Sequence, residues 1–164
     1  MPGLALDPVP LLPHRRERRR APVKPFPADL SELGRRALDA AYGDGAGTGY
    51  DPDVALVNHY DAGARMGQHQ DKDERSPAPI VSISLGDTCV FRFGNSRDRK
   101  RPYSDIELRS GDLFVFGGVS RLAYHGVPRT LVGTADPALG LIGRLNLTLR
   151  ETGLDDRPGA VVEP

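Results

Sequence analysis

Between residues 54 and 150 the chain alternates apolar and polar positions with a period of two, the signature of half-buried strands. Val54 to Tyr60 places Leu56, Asn58 and Tyr60 on one face. Pro79 to Gly86 sets Val81, Ile83 and Leu85 against Ser82 and Ser84, and Cys89 to Gly94 continues as a further core strand with Cys89 as a small buried hydrophobe. Arg144 to Arg150 is the most regular strand, with Arg144, Asn146, Thr148 and Arg150 on one face and Leu145, Leu147 and Leu149 on the other. Ile106 and Leu108 followed by Leu113, Val115 and Phe116 around Ser110-Gly-Asp112 predict a hairpin over 104–118. One stretch has a different period. Leu30, Leu33, Ala37, Leu38, Ala41 and Tyr42 recur at helical spacing, which predicts a helix over Pro25–Gly43, capped by Asp29 with Glu32 and stopped by Gly43 and Gly45. Asp44–Asp53 and Arg129–Gly143 read as loops. Short strands, tight turns and one helix predict a mainly β fold: a double-stranded β-helix (jelly-roll, cupin-like) with a flanking α-helix.

Composition narrows the class. The 164 residues suit one domain with its own core. Lys plus Arg and Asp plus Glu balance at 22 each, so no overall basic field marks the chain for nucleic acid. The charge is nonetheless clustered, in Arg15, Arg16, Arg18, Arg19 and Arg20, and again in Arg92, Arg97, Arg99, Lys100 and Arg101. The second cluster fits a solvated turn; beside an active sheet it also fits phosphate contact. The single Cys89 excludes an intrachain disulfide and fits a reducing compartment, so a cytoplasmic location is expected. No apolar run is long enough to span a bilayer, and no charged-then-apolar leader is present. A monomer without membrane attachment is the expected state.

The chemistry concentrates in His69-Gln70-Asp71. Residues two apart on an extended strand face one side, so an imidazole and a carboxylate converge. A polar loop would also explain the dipeptide. Of the other histidines, His14 lies in an irregular N-terminal segment and His59 on the preceding strand, which leaves His125 as the distant third ligand. Two histidines and one carboxylate form the open-sided set of non-haem Fe(II) oxygenases. Two arginines on the inner face of the last strand would be costly to bury without anions, although a surface sheet edge would also account for them. Beside a metal motif, a dicarboxylate held between guanidinium forks is the favoured reading.

Five motifs follow one another in order: Asn58-His59-Tyr60, His69-x-Asp71-x-Asp73-Glu74, Pro79-Ile-Val-Ser-Ile-Ser-Leu-Gly86, Gly117-Gly-Val-Ser-Arg-Leu-Ala-Tyr-His-Gly126 and Arg144-Leu-Asn-Leu-Thr-Leu-Arg150. Together they resemble the AlkB family of iron- and 2-oxoglutarate-dependent dioxygenases that repair alkylated nucleic acid. The resemblance covers roughly residues 22–153. It implies that His69, Asp71 and His125 bind Fe(II), and that Leu56, Asn58, Tyr60, Arg144, Asn146 and Arg150 surround 2-oxoglutarate. Dioxygen would take the remaining position. It places Asp73 near the damaged base, where a carboxylate accepts from an exocyclic amine, with Glu74 beside it and Arg97 or a near neighbour against the strand. The implied reaction is oxidative demethylation of 1-methyladenine and 3-methylcytosine in DNA or RNA. Oxygenation of a protein or a small molecule, and a truncated form impaired in repair, are the alternatives.

Three segments are therefore expected: an irregular 1–21, a dioxygenase domain over 22–153, and a polar mobile tail over 154–164. Back-translating Gly3–Arg15 and shifting the frame by one nucleotide, with free choice of the degenerate bases, yields Gly-Trp-His-Trp-Thr-Pro-Tyr-Arg-Tyr-Ser-Arg-Thr. That string resembles a family segment expected before Ala21-Pro-Val-Lys-Pro-Phe-Pro27, and the chain as written contains no Trp. The expectation is that residues 1–21 are out of frame and that much of the substrate-gripping lid is lost. A genomic start codon with no out-of-frame coding sequence upstream would contradict it.

Overall fold

The computed structural model describes residues 24–154. Helix α1 (Ala28–Tyr42) is followed by β1 (Val54–Tyr60), β2 (Met66–His69), β3 (Ile80–Gly86), β4 (Thr88–Phe93), β5 (Ser104–Leu108), β6 (Leu113–Phe116), β7 (His125–Leu131) and β8 (Arg144–Arg150). Two antiparallel four-stranded sheets have the orders β1-β8-β3-β6 and β2-β7-β4-β5. Successive strands pass back and forth between the sheets, and only β4 and β5 are neighbours both in sequence and in a sheet. This is the jelly-roll that the alternating pattern predicts. No helix among the described residues is long and apolar enough to cross a membrane. The expectations for residues 1–21 and for the tail beyond Leu154 fall outside the described residues.

Strand β8 has both faces in use. Leu149 joins Val81, Ile83, Ala37, Leu38 and Tyr50 in a core between the first sheet and α1, with Leu147, Leu85 and Leu33 packed around it. Its opposite face, carrying Arg144, Asn146 and Thr148, is buried between the sheets. A second core of Tyr60, Cys89, Phe91, Leu108 and Val127 packs between the sheets.

Three local expectations are corrected. The helix starts after Pro27 and has no side-chain cap; Asp29 sits inside the first turn, where its charge favours the positive helix end without accepting a capping bond. Glu32 turns to Arg35 instead, at 3.2 Å. Residues 104–118 do not form a hairpin: β5 pairs with β4, and β6 pairs with β3 in the other sheet. Alternation cannot tell a return beside the preceding strand from a crossing to the opposite layer. The crossing is held by Gly111 N donating to Ser84 O at 2.7 Å and Ser84 N donating to Asp112 O at 2.9 Å. The basic loop Asn95–Pro102 is thus itself the hairpin connection between β4 and β5. Finally, the predicted loop from Arg129 is strand as far as Leu131. Gly126 and Pro128 hide β7 in the sequence; Pro128 falls where the β4–β7 register shifts, between Val90 and Arg92, so the ladder does not need its missing N–H.

Gly86 lets β3 turn into β4 across the layers. Its φ of +82° lies in the left-handed region, and a Cβ there would press on the carbonyl oxygen of Gly143. Gly86→Ala should therefore destabilise the fold by at least about 1–2 kcal/mol, read as a lower urea midpoint at unchanged slope. An unchanged midpoint would show that the turn relaxes freely.

Candidate active site

A cavity of about 250 Å³ opens between the sheets, and Leu56, Asn58, Tyr60, His69, Asp71, Asp73, His125, Arg144, Asn146 and Arg150 all line it. They arrive from β1, from β2 and the segment after it, from β7 and from β8. The pairing of β1 with β8 sets Leu56 opposite Thr148, Asn58 opposite Asn146 and Tyr60 opposite Arg144, so the inward faces of two neighbouring strands make one wall. The pairing of His69 with His125 brings the two imidazoles together from the other sheet.

The ligand-type atoms converge on Asp71. His69 Nε2 lies 3.5 Å from its Oδ1, and His125 Nε2 lies 3.5 Å from its Oδ2. One ligand atom from each residue lies within 4.8 Å of the others. Each ring is oriented by its other nitrogen: His69 Nδ1 contacts Gly67 O at 3.0 Å and His125 Nδ1 contacts Ala123 O at 2.9 Å. A carbonyl only accepts, so both Nδ1 atoms carry a proton and each Nε2 is aimed at the centre, where it meets Asp71 and, once free of a proton, can ligate a metal. Phe91 and Phe116 pack against His125, with ring centroids 5.7 and 5.0 Å away, and fix its plane from the apolar side.

Asp71 is buried, which by itself would raise its pKa. Hydrogen bonds from His125 and His69 and the charge of Arg150 outweigh burial and hold the carboxyl well below the usual carboxylate range. His69 moves the opposite way, chiefly through its bond to Asp71. Arg150 Nη2 reaches Asp71 Oδ1 at 2.9 Å, and its Nη1 is bonded to Glu74.

Arg144 is the unusual group. Its residue is only 1 % exposed, yet Nε and Nη1 have no hydrogen-bond partner, and Nη2 alone donates, to Ser84 Oγ at 3.1 Å. Its Cζ sits 5.0 Å from the Tyr60 ring centroid, a cation–π contact that offsets part of the burial. Arg150 Nε is also buried without a partner. Three unpartnered nitrogens on two cations form a ready donor site for an anion. Asn146 is locked beside them, donating to Ser82 Oγ at 2.7 Å while accepting from Thr148 Oγ1 at 3.0 Å. Burial raises the Tyr60 phenol, so it stays a neutral donor at pH 7, here to Met66 Sδ at 3.6 Å.

The donor set suits a divalent metal with a dicarboxylate beside it. Two imidazole nitrogens and a carboxylate favour a first-row transition ion, and they occupy one side of it only.

The sequence profile of the 2OG-Fe(II) oxygenase superfamily matches residues 10–150. The chain belongs to that superfamily. Within it, the chain is similar to the alpha-ketoglutarate-dependent dioxygenase AlkB homolog of Caulobacter vibrioides, 54% identical over 100 residues that are 60% of this chain and 44% of the relative. It is also similar to AlkB of Escherichia coli, 42% identical over 79% of this chain and 59% of that protein. The solved structure of OsALKBH1 matches with a TM-score of 0.68 and 38% identity, over 77% of this chain and 66% of that one. The chain is thus AlkB-like, and Fe(II), 2-oxoglutarate and dioxygen are the cofactor set of this superfamily. It spans 44% and 59% of the lengths of the two curated relatives.

Two residues expected at the substrate side do not line the cavity. Glu74 is turned into the protein: its side chain is 6% exposed and its two oxygens are taken by Arg121 and Arg150. The resemblance implied a contact with the substrate; in this structure the carboxylate is instead engaged by two cations. Arg97 stands exposed on the β4–β5 loop, outside the cavity. That loop is nonetheless tied to the cavity rim, because Gln70 Nε2 donates to Ser96 O at 3.1 Å and to Leu122 O at 2.6 Å. Arg99 stacks over Tyr124 at 5.5 Å on the same side. Sequence reasoning placed Ser82 and Ser84 in a core strand and assigned them no part in the site; the clue was their alternation on a strand whose apolar face was already accounted for.

Proposed function

We propose that this chain is an Fe(II)- and 2-oxoglutarate-dependent dioxygenase that removes alkyl groups from nucleobases. Residues 22–153 form the catalytic unit. His69, Asp71 and His125 hold the metal. Arg144 and Arg150, with Asn146, Asn58, Tyr60 and Leu56, receive 2-oxoglutarate. The observation that carries this reading is the buried, half-unpartnered Arg144 facing the same cavity as the three converging ligand atoms. When bound, the metal would activate dioxygen, one atom of which would enter succinate as 2-oxoglutarate loses carbon dioxide while the other would hydroxylate an N-linked methyl group. The hydroxylated methyl then leaves as formaldehyde and restores the base.

The substrate side is read from the cavity mouth. Asp73 lines it and is exposed, so its carboxylate can accept from the exocyclic amine of adenine or cytosine. The adjoining loop offers Arg97, Arg99, Lys100 and Arg101 to phosphates, with Tyr124 as a stacking surface. 1-Methyladenine and 3-methylcytosine in DNA or RNA are the proposed targets. Methylation of a pairing edge makes such bases cheaper to extrude from a duplex. A cytoplasmic monomer is the proposed working form.

With Fe(II), 2-oxoglutarate and a 1-methyladenine oligonucleotide, succinate and formaldehyde should appear in equal amounts. Succinate without formaldehyde would favour a form impaired in repair. The chain spans only 44% and 59% of the lengths of its two curated relatives, which gives that alternative its weight. Oligonucleotide-independent turnover on a protein or small molecule would reassign the substrate while leaving the metal centre in place.

A further inference from the structure

Arg121 is neither a metal ligand nor a cavity-lining residue, yet its side chain is only 9% exposed and three of its nitrogens are engaged. It follows the short helical turn Gly118–Ser120 and precedes His125 by four positions. Nη1 donates to the backbone oxygen of Asp71 at 2.6 Å, Nε to the oxygen of Ala78 at 2.9 Å, and Nη2 to Glu74 Oε2 at 3.1 Å. The other oxygen of Glu74 accepts from Arg150 Nη1, and Arg150 Nη2 continues to Asp71 Oδ1 at 2.9 Å. The result is a chain of alternating charge, Arg121–Glu74–Arg150–Asp71, which the bond from Arg121 to the Asp71 backbone closes into a ring joining three distant segments.

We infer that Arg121, acting with Glu74, is a positioning residue for the metal centre: it sets the spacing of Asp71 to His125 and limits how much of Arg150 the Asp71 carboxylate receives. This rests on reading His69, Asp71 and His125 as the metal ligands. Two features carry it. The guanidinium belongs to the segment that bears His125 and grips the backbone of Asp71 directly, so one side chain fixes the separation of two ligands. Glu74 holds one end of the Arg150 fork. Without Glu74, both Nη atoms could close on Asp71 in the bidentate manner that guanidinium and carboxylate favour, and the metal would have to compete for both oxygens. With Glu74 present, Oδ2 stays turned toward His125 Nε2. A lysine at 121 would keep the charge beside Glu74, but an ammonium on a flexible stem cannot hold three acceptors in the directions a planar fork spans.

The test is a Co(II) titration of the full chain and of the Arg121→Lys and Glu74→Gln variants, followed through the visible absorption of the bound ion. Melting temperatures without metal, and kcat and KM for 2-oxoglutarate at saturating Fe(II), are measured alongside. Removing an orienting partner of a metal ligand weakens metal binding by about 10–100-fold. That loss is expected in both variants, with kcat at saturating metal within a few-fold of the parent. A folded Arg121→Lys protein that binds Co(II) within twofold of the parent would overturn the inference. So would a lowered metal-free melting temperature with unchanged affinity, which would mean that Arg121 only braces the fold. If Arg121→Lys does not fold, Glu74→Gln decides by the same criterion. A parent chain that fails to bind Co(II) at all would instead overturn the assignment of the three ligands on which the inference stands.

Discussion

Asp71→Ala is expected to abolish metal-dependent turnover, lowering 2-oxoglutarate-dependent succinate release by more than about 100-fold, beyond what loss of an outer-shell partner costs. The carboxylate stands between both imidazoles and Arg150, at 3.5, 3.5 and 2.9 Å. Without it, two imidazoles would share a pocket with a guanidinium that repels any incoming divalent cation. Co(II) or Mn(II) titration separates loss of metal from loss of chemistry, and undiminished affinity would remove Asp71 from the metal site. The folded protein also loses a buried ion pair. Breaking such a pair typically costs about 3–5 kcal/mol, and the low end applies because Glu74 still holds Arg150.

A pH dependence follows from the same contacts. The folded protein holds the carboxyls of Asp71 and Glu74 below their unfolded values, with burial opposing and hydrogen bonds from the histidines and arginines prevailing. A depressed folded pKa stabilises the native state fully above the unfolded value, at about pH 4, and loses that contribution as the pH falls through the folded value. Metal-free stability should therefore fall with acid more steeply in the parent than in Glu74→Gln.

Arg144→Met is expected to separate co-substrate binding from folding. In the parent, two buried guanidinium nitrogens have no partner, so the charge is incompletely compensated until an anion arrives. An apolar side chain of similar length removes that penalty, at the cost of one bond to Ser84 and the contact with Tyr60. Without 2-oxoglutarate the variant should melt at or near the parent temperature. Its KM for 2-oxoglutarate should rise by about 30-fold or more, because truncating one side of a buried charged hydrogen-bonded pair costs about 2–5 kcal/mol. The thermal stabilisation by 2-oxoglutarate seen in the parent should also disappear. Saturation at the parent concentration of 2-oxoglutarate would place the dicarboxylate elsewhere.

Most of the fold was legible where burial imposes a strict period. Strand β8 was readable to the residue because one face meets the leucine-lined core and the other meets the cavity, so every position is constrained. Strand β7 was not, because Gly126 and Pro128 break the pattern at a bulge. The supposed hairpin over 104–118 failed for a different reason: its strands carry the right alternation, and only the partner sheet distinguishes a return from a crossing. At the site, the convergence of His69, Asp71 and His125 was readable because ligand chemistry restricts residue types. Arg121 and the inward turn of Glu74 were not, since that ion pair joins positions 47 apart with no local period to announce it. Ser82 and Ser84 were visible as polar alternates; their bonds to Asn146 and Arg144 depend on a strand pairing that no single segment encodes.

One metal ion held by three side chains beside two arginines would define this site. An anaerobic crystal grown with Fe(II) and 2-oxoglutarate, measured for iron anomalous scattering, tests this most directly. The expected result is one strong peak bonded by the Nε2 atoms of His69 and His125 and by an Asp71 oxygen, with a 2-oxoglutarate carboxylate on Arg144. A peak outside that group of three, or a dicarboxylate that leaves Arg144 untouched, would contradict it.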